Sequence, residues 1–179
     1  MIAILQNIRS LYNVGSIFRT ADAAGIKKLY LCGITPTPLD RFGNKRKELA
    51  KVALGAEDYI EWEKIGNSPS SVATIALIKK LKKDGYKIIA LEQDERSISY
   101  SKLNISIPAR LAKSMAERTG RQKNSKFAII VGDEVRGISK STLKYCDSII
   151  EIPMRGKKES LNVSVAFGIA AYSLLDKRP

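Results

Sequence analysis

Histidine is absent from this chain of 179 residues. That removes the commonest general base near neutral pH and the commonest metal ligand, so any proton transfer falls to Arg, Lys, Glu, Asp, Tyr or water, and no metal site is expected. Cysteine is nearly as scarce. Cys32 and Cys146 stand far apart without histidine neighbours, which excludes a disulfide framework and a zinc site and suits quiet core thiols. No apolar run reaches the roughly 18 residues of a membrane span, and the N-terminus opens into Ile2 to Leu5 without the charged region or cleavage site of a signal peptide. A cytoplasmic protein is expected. Acidic residues are in deficit: 31 Lys+Arg against 18 Asp+Glu give a formal net charge of +13. Such an excess favours polyanionic partners, nucleic acid foremost, by raising encounter rates and releasing condensed counterions. A lysine-rich composition spread over every solvated face would produce the same number.

What is present fits one globular domain. At 44% hydrophobic content the chain can bury a substantial core, with little room for a separate recognition module. Apolar runs at Met1 to Leu5, Leu29 to Cys32, Lys87 to Leu91, Phe127 to Val131 and Ser148 to Ile152 predict strands, with a further candidate at Tyr59 to Trp62. Helical spacing appears over Val14 to Ala24 before Gly25, Lys45 to Leu54 before Gly55, Ser71 to Lys83, and Ser160 to Leu175. Alternating strands and helices predict an α/β fold: a mostly parallel sheet with helices on both faces and a ligand crevice beyond the carboxyl ends of the strands. The stretch from Asn104 to Lys126 is harder to read. It carries Arg110, Lys113, Arg118, Arg121, Lys123 and Lys126 around a short predicted helix, and suits either a solvated basic insertion or an RNA-contacting arm. In the last helix, Ala166, Gly168, Ala170 and Ala171 allow close approach either of another element of the same chain or of a second copy.

Three polar segments follow predicted strands, where such a crevice would lie. The first runs from Asn7 through Asn13 and Arg19 to Ala21, the second from Val131 through Gly132 and Glu134 to Ser139, and the third from Ile152-Pro153-Met154 through Ser160-Leu161-Asn162 to Ala166. The third joins an apolar run to a loop and a Ser-led helix, whose first turn offers backbone donors to a ligand. Ser160 without a His or Lys base is a poor covalent nucleophile, which argues against hydrolase chemistry.

In order and content these segments resemble motifs 1, 2 and 3 of the SpoU/TrmH branch of the SPOUT RNA 2′-O-ribose methyltransferases. The connecting stretch Lys51-Val52-Ala53-Leu54-Gly55-Ala56-Glu57 matches too, so the resemblance covers nearly the whole chain except about 104–126. It implies a C-terminal trefoil knot, a homodimer, S-adenosylmethionine as cofactor, and tRNA or rRNA as substrate. Periodicity alone would have predicted an ordinary open doubly wound sheet, because chains rarely thread their own loops. The resemblance assigns active-site roles to Asn13, Arg19, Glu134, Ser160 and Asn162. Cofactor contacts, largely through backbone, are expected from Leu91, Val131, Gly132, Ile152, Met154 and Leu161, with plain core packing the alternative for each.

Methyl transfer to a ribose hydroxyl demands that a weak acid be made nucleophilic and aligned. Arg19 is the residue expected to do this, either as a fixed cation lowering the hydroxyl's effective pKa or, less naturally for a guanidinium, as the base. Asn13 could orient Arg19 or a substrate oxygen, or cap the helix that follows. Glu134 is expected to hold backbone amides or the motif 3 loop in place. Two departures from the family pattern stand out. Val135 and Arg136 precede Gly137 where many relatives have glycine directly after the glutamate, leaving Arg136 as an extra candidate phosphate contact. The N-terminal RNA-binding domain of several relatives has no counterpart, so substrate selection is expected from the core, the 104–126 segment and a dimer partner. A non-catalytic RNA-binding or assembly protein that keeps the knotted fold is the competing reading.

Overall fold

Every residue of β1 (Ile2–Gln6) is buried, as expected of a strand covered on both faces. A computed structural model describes residues 1–103 and 126–176, and the expectations for the basic segment from 104 to 125 lie outside them. Around β1 the chain lays β2 (Lys28–Cys32), β3 (Glu61–Ile65), β4 (Tyr86–Leu91), β5 (Ile98–Ser99), β6 (Lys126–Val131) and β7 (Ser148–Glu151) into one sheet of order β3-β2-β1-β6-β4-β7-β5. All six pairings are parallel. β7 lies between β4 and β5, which are consecutive in the chain, and this is the order that a trefoil-knotted C-terminus requires.

The helices are α1 (Leu11–Ala23), α2 (Lys47–Ala53), α3 (Ala56–Tyr59), α4 (Val72–Lys83), α5 (Lys140–Leu143) and α6 (Val163–Asp176). Strand alternation sends Ala3 and Leu5 of β1 towards a core shared with α1, α2 and α6, and sends Ile2 and Ile4 towards a second core shared with α4 and α5. Helices therefore cover both faces, as expected. Cys32 is buried and Cys146 half-buried, and burial pushes both thiols up to about 12, so they stay protonated at neutral pH. Among the described residues no helix is long and apolar enough to cross a membrane.

The structure moves several predicted boundaries. α1 starts at Leu11 rather than Val14, because the Ser10 side chain accepts from the Asn13 backbone N–H at 3.3 Å and caps the helix. Asn13 thus sits in the first turn and is not the cap. At its other end Gly25 takes a left-handed conformation (φ 67°) that stops α1 as the sequence suggested. β3 lies later than Tyr59 to Trp62, since Tyr59 belongs to the short α3. α6 begins at Val163, not Ser160: the Asn162 side chain accepts from Ser164 N–H at 2.9 Å, and the Asn162 carbonyl accepts from Ala166 N–H at 2.9 Å.

Gly15 fixes how closely α1 and α2 approach. A Cβ there would lie 2.5 Å from the Leu49 carbonyl oxygen and 3.2 Å from Val52 Cγ2. Gly15→Ala gains about 1 kcal/mol of helix propensity but overpacks a backbone contact at about 1–3 kcal/mol. A net loss on the order of 1 kcal/mol is expected in urea unfolding, and unchanged or raised stability would show that the helices can separate freely.

Candidate active site

The carboxyl ends of β4, β6 and β7 open onto a cavity of about 370 Å³. β1 is the strand from which the chain first builds outward through β2 and β3 and later through β6 and β4 on the other side, so the cavity adjoins the switch point where open parallel sheets bind ligands. Each of the six residues expected to touch a cofactor lines it: Leu91, Val131, Gly132, Ile152, Met154 and Leu161. Glu134, Ser160 and Asn162 line it as well. Aliphatic walls beside loop backbone and a few polar side chains suit a small molecule with a flat apolar part, and the volume falls in the usual range of about 300–1,000 Å³ for such sites.

Glu134 joins the three segments. Its carboxylate accepts from the backbone N–H groups of Arg9 (3.0 Å) and Ser10 (3.1 Å) and from the Asn13 side-chain amide (2.9 Å). The amides it holds belong to the first segment, not to the loop of the third. Asn13 Oδ1 in turn accepts from Asn162 Nδ2 at 3.0 Å, and Asn162 Oδ1 accepts from Ser164. An ionised carboxylate only accepts, so this chain fixes both amide orientations and leaves one further N–H on each asparagine to offer an oxygen ligand. Partial burial pushes the Glu134 carboxyl up, but the Arg9 N–H, the Asn13 amide and the Ser10 N–H draw it down, and the net shift is downward. Such a carboxylate is a weak base at neutral pH.

Two carboxylates that sequence reasoning passed over brace the same loops. Asp133, buried, accepts from the backbone N–H groups of Val135 (2.8 Å) and Arg136 (2.7 Å) and pairs with Arg9 Nε at 2.9 Å. Burial raises its carboxyl, and the two backbone donors with Arg9 outweigh that, holding it below the usual carboxylate range. Glu92, directly after β4, accepts from Ile138 N–H at 2.6 Å. Gly137 turns beneath it with φ 63°, and a Cβ there would collide with the Glu92 carboxylate. The position of Glu92-Gln93 at a strand's carboxyl end was the available signal.

Arg19 is elsewhere. It is exposed on α1, outside the cavity lining and outside the Glu134–Asn13–Asn162 chain. It lies two turns beyond Tyr12 on the open helix face, beside an exposed stripe of Val165, Ile169 and Tyr172 on α6. α6 reaches α1 closely here, since a Cβ at Gly168 would lie 3.6 Å from Thr20 Cγ2. Arg136 lines the cavity.

A parallel sheet of this order, with a small-molecule cavity walled by loops from β4, β6 and β7, is an α/β fold with a ligand site at the carboxyl ends of its strands. The chain belongs to the SpoU rRNA methylase family, whose model matches residues 1–172. Among similar proteins is a tRNA (guanosine(18)-2′-O)-methyltransferase of Borreliella burgdorferi, 29% identical over 172 residues, covering 96% of this chain and 64% of the relative. A TrmH/SpoU tRNA-modifying enzyme of Aquifex aeolicus superposes with a TM-score of 0.72 at 25% identity, over 98% of this chain and 74% of that one. The SpoU methyltransferase AviRb of Streptomyces viridochromogenes, solved with AdoMet, superposes with a TM-score of 0.74 at 17% identity, over 99% of this chain and 60% of that one. The chain spans 59–64% of the length of the first curated relatives it matches.

Lowered carboxyls stabilise the fold above their unfolded pKa values, about 3.9 for Asp and 4.3 for Glu, and that contribution is lost as pH falls through the folded values. Thermal stability of the native chain should therefore hold above about pH 5 and fall on further acidification, with Glu134→Gln showing a shallower fall. Superimposable acid limbs would remove Glu134 from the linkage. At neutral pH, Glu134→Ala should cost about 1–2 kcal/mol, reduced from a fully buried charged hydrogen-bond set by its exposure.

Proposed function

We propose that this chain is an S-adenosylmethionine-dependent methyltransferase acting on a ribose 2′-hydroxyl of tRNA or rRNA. The observation that carries it is the Glu134–Asn13–Asn162 chain at the edge of the cavity, which aims two spare amide N–H groups beside a pocket suited to a nucleoside-like cofactor. Leu91, Ile152, Met154 and Leu161 would flank the adenine, while the backbone of Val131 and Gly132 would meet its polar edge. The cofactor supplies an electrophilic methyl on a sulfonium, a good leaving group. The remaining work is the protein's: it would hold the ribose hydroxyl in line with that methyl and stabilise the oxygen as its proton passes to water. Asn13 and Asn162 hold ribose or phosphate oxygens in line, Ser160 contributes a hydroxyl at the rim, and Glu134 keeps both asparagines oriented rather than taking the proton. Arg19 supplies the positive charge that stabilises developing alkoxide.

Arg19 acts across an interface. Tyr12 (55% exposed), Val165 (51%) and Tyr172 (46%) form an apolar patch continuous with its helix face, and a second copy of the chain covers it in this reading. The single domain, with its basic segment of 104–126, works as a homodimer in the cytoplasm, where its RNA is. The +13 charge supports the choice of RNA.

Calorimetry with S-adenosylmethionine should register binding, and no heat at millimolar cofactor would sink the enzyme reading. Arg19→Lys should retain measurable transfer if the residue acts as a fixed cation, with the pH profile unshifted; complete loss would favour chemistry specific to guanidinium. Co-expressed Arg19→Ala and Asn162→Ala chains, each inactive alone, should recover about one quarter of wild-type activity, because one site in each mixed dimer regains both residues. Activity no higher than either single variant would place Arg19 in its own subunit's site.

A further inference from the structure

A second crevice, of about 600 Å³, shares no lining residue with the first. Its walls come from the loop after β2, residues 33 to 46, with Lys64 from the end of β3 and Arg9 from the loop after β1. Four cations face it, Arg9, Arg41, Arg46 and Lys64, against one carboxylate, Asp40. Asp40 is committed to its own turn: Oδ1 accepts from the N–H groups of Phe42 (2.8 Å) and Asn44 (2.9 Å), and Oδ2 accepts from the Asn44 amide. Lys64 is committed as well. Its ammonium donates to the carbonyl oxygens of Gly33 (2.5 Å) and Thr35 (2.6 Å) and so sets the floor.

The arginines are differently placed. Arg46 Nε is buried and has no hydrogen-bond partner among the described residues. A guanidinium N–H withdrawn from water and left unpaired is costly, and a charge-assisted bond to an anionic oxygen would satisfy it. Arg41 lines the crevice and stacks over the Phe42 ring at 4.6 Å, and Phe42, the next residue of the same loop, is 73% exposed. An exposed aromatic ring beside a guanidinium plane and a cationic floor is the combination by which proteins hold unpaired nucleotides: phosphate on arginine, base on the ring. Arg9 connects the two cavities. Its guanidinium lines this crevice while pairing with Asp133, and its backbone N–H donates to Glu134 at the active site.

We propose that this crevice binds the nucleotide adjoining the one to be methylated, its phosphodiester on Arg46 and Arg9 and its base against Phe42. The inference rests on the RNA-methylating reading and adds to it a site that recognises single-stranded RNA. It implies that the target ribose is presented from an unpaired loop, since a base held on Phe42 is not stacked within a helix.

The test measures binding of unfractionated tRNA and of a mixed-sequence single-stranded RNA of about a dozen nucleotides by anisotropy between about 50 and 200 mM KCl, with S-adenosylmethionine followed separately by calorimetry. Arg46→Gln should weaken RNA binding about tenfold and reduce the slope of log K against log salt by about one. Phe42→Ala should weaken it at least about fivefold with the slope unchanged, while Phe42→Tyr stays near wild type. Phe42 is exposed, so its truncation keeps the proposal testable should Arg46→Gln fold poorly. Cofactor affinity should be the same in all variants. RNA affinities of both Arg46→Gln and Phe42→Ala within twofold of wild type, with cofactor bound normally, would overturn the crevice and leave the methyltransferase reading standing. RNA effects as expected in a chain that never binds cofactor would support the crevice and overturn that reading.

Discussion

The site depends on one carboxylate reaching across the chain. Glu134 follows β6, yet every donor it accepts from belongs to the segment after β1, more than 120 residues earlier. Parallel pairing makes this possible: β1 and β6 are neighbours, with Leu5 opposite Val131, so their loops leave the same rim side by side. A carboxylate there meets two backbone N–H groups at a helix entrance, where donors are free and negative charge is favoured. The asparagine it orients then reaches the third segment, so one ion organises parts of the site drawn from three regions of sequence.

Legibility in the sequence followed burial. β1, β2, β4 and β6 are apolar runs covered on both sides, and their positions could be read nearly to the residue. β5 is the two residues Ile98–Ser99 and α5 a single turn at Lys140–Leu143, too short to carry a period. Strand order could not be read at all, because buried parallel strands look alike; the family resemblance supplied the knotted arrangement where periodicity pointed to an ordinary open sheet. Helix starts slipped where several capping residues stood close together. Ser160 led the helix expected from sequence, and only the bonds that Ser164 and Ala166 N–H donate to Asn162 place its start later.

The same asymmetry runs through the site. Residues expected at the cavity were named by the family resemblance, and several of them lie at or just beyond the carboxyl ends of strands, where ligands gather. Asp133 and Glu92 were passed over because most of their partners are backbone N–H groups, which no side-chain pattern announces: Asp133 holds its own loop and Arg9, and Glu92 the N–H of Ile138. Arg19 shows the opposite case: a residue whose family role was easily named, but which stands on an open helix face outside the cavity lining.

The central position of β1 also governs how the molecule is made. β1 has β2 on one side, which follows soon after it in the chain, and β6 on the other, whose residues 126–131 come about 120 residues later. At about 5–20 residues per second a ribosome needs on the order of ten seconds to deliver that partner, during which one edge of a largely apolar strand stays unpaired. Completion of the sheet waits on contacts of very long sequence separation, so this fold should form slowly and late. The unpaired edge is a site for mispairing between nascent chains and for binding by chaperones that hold extended apolar segments.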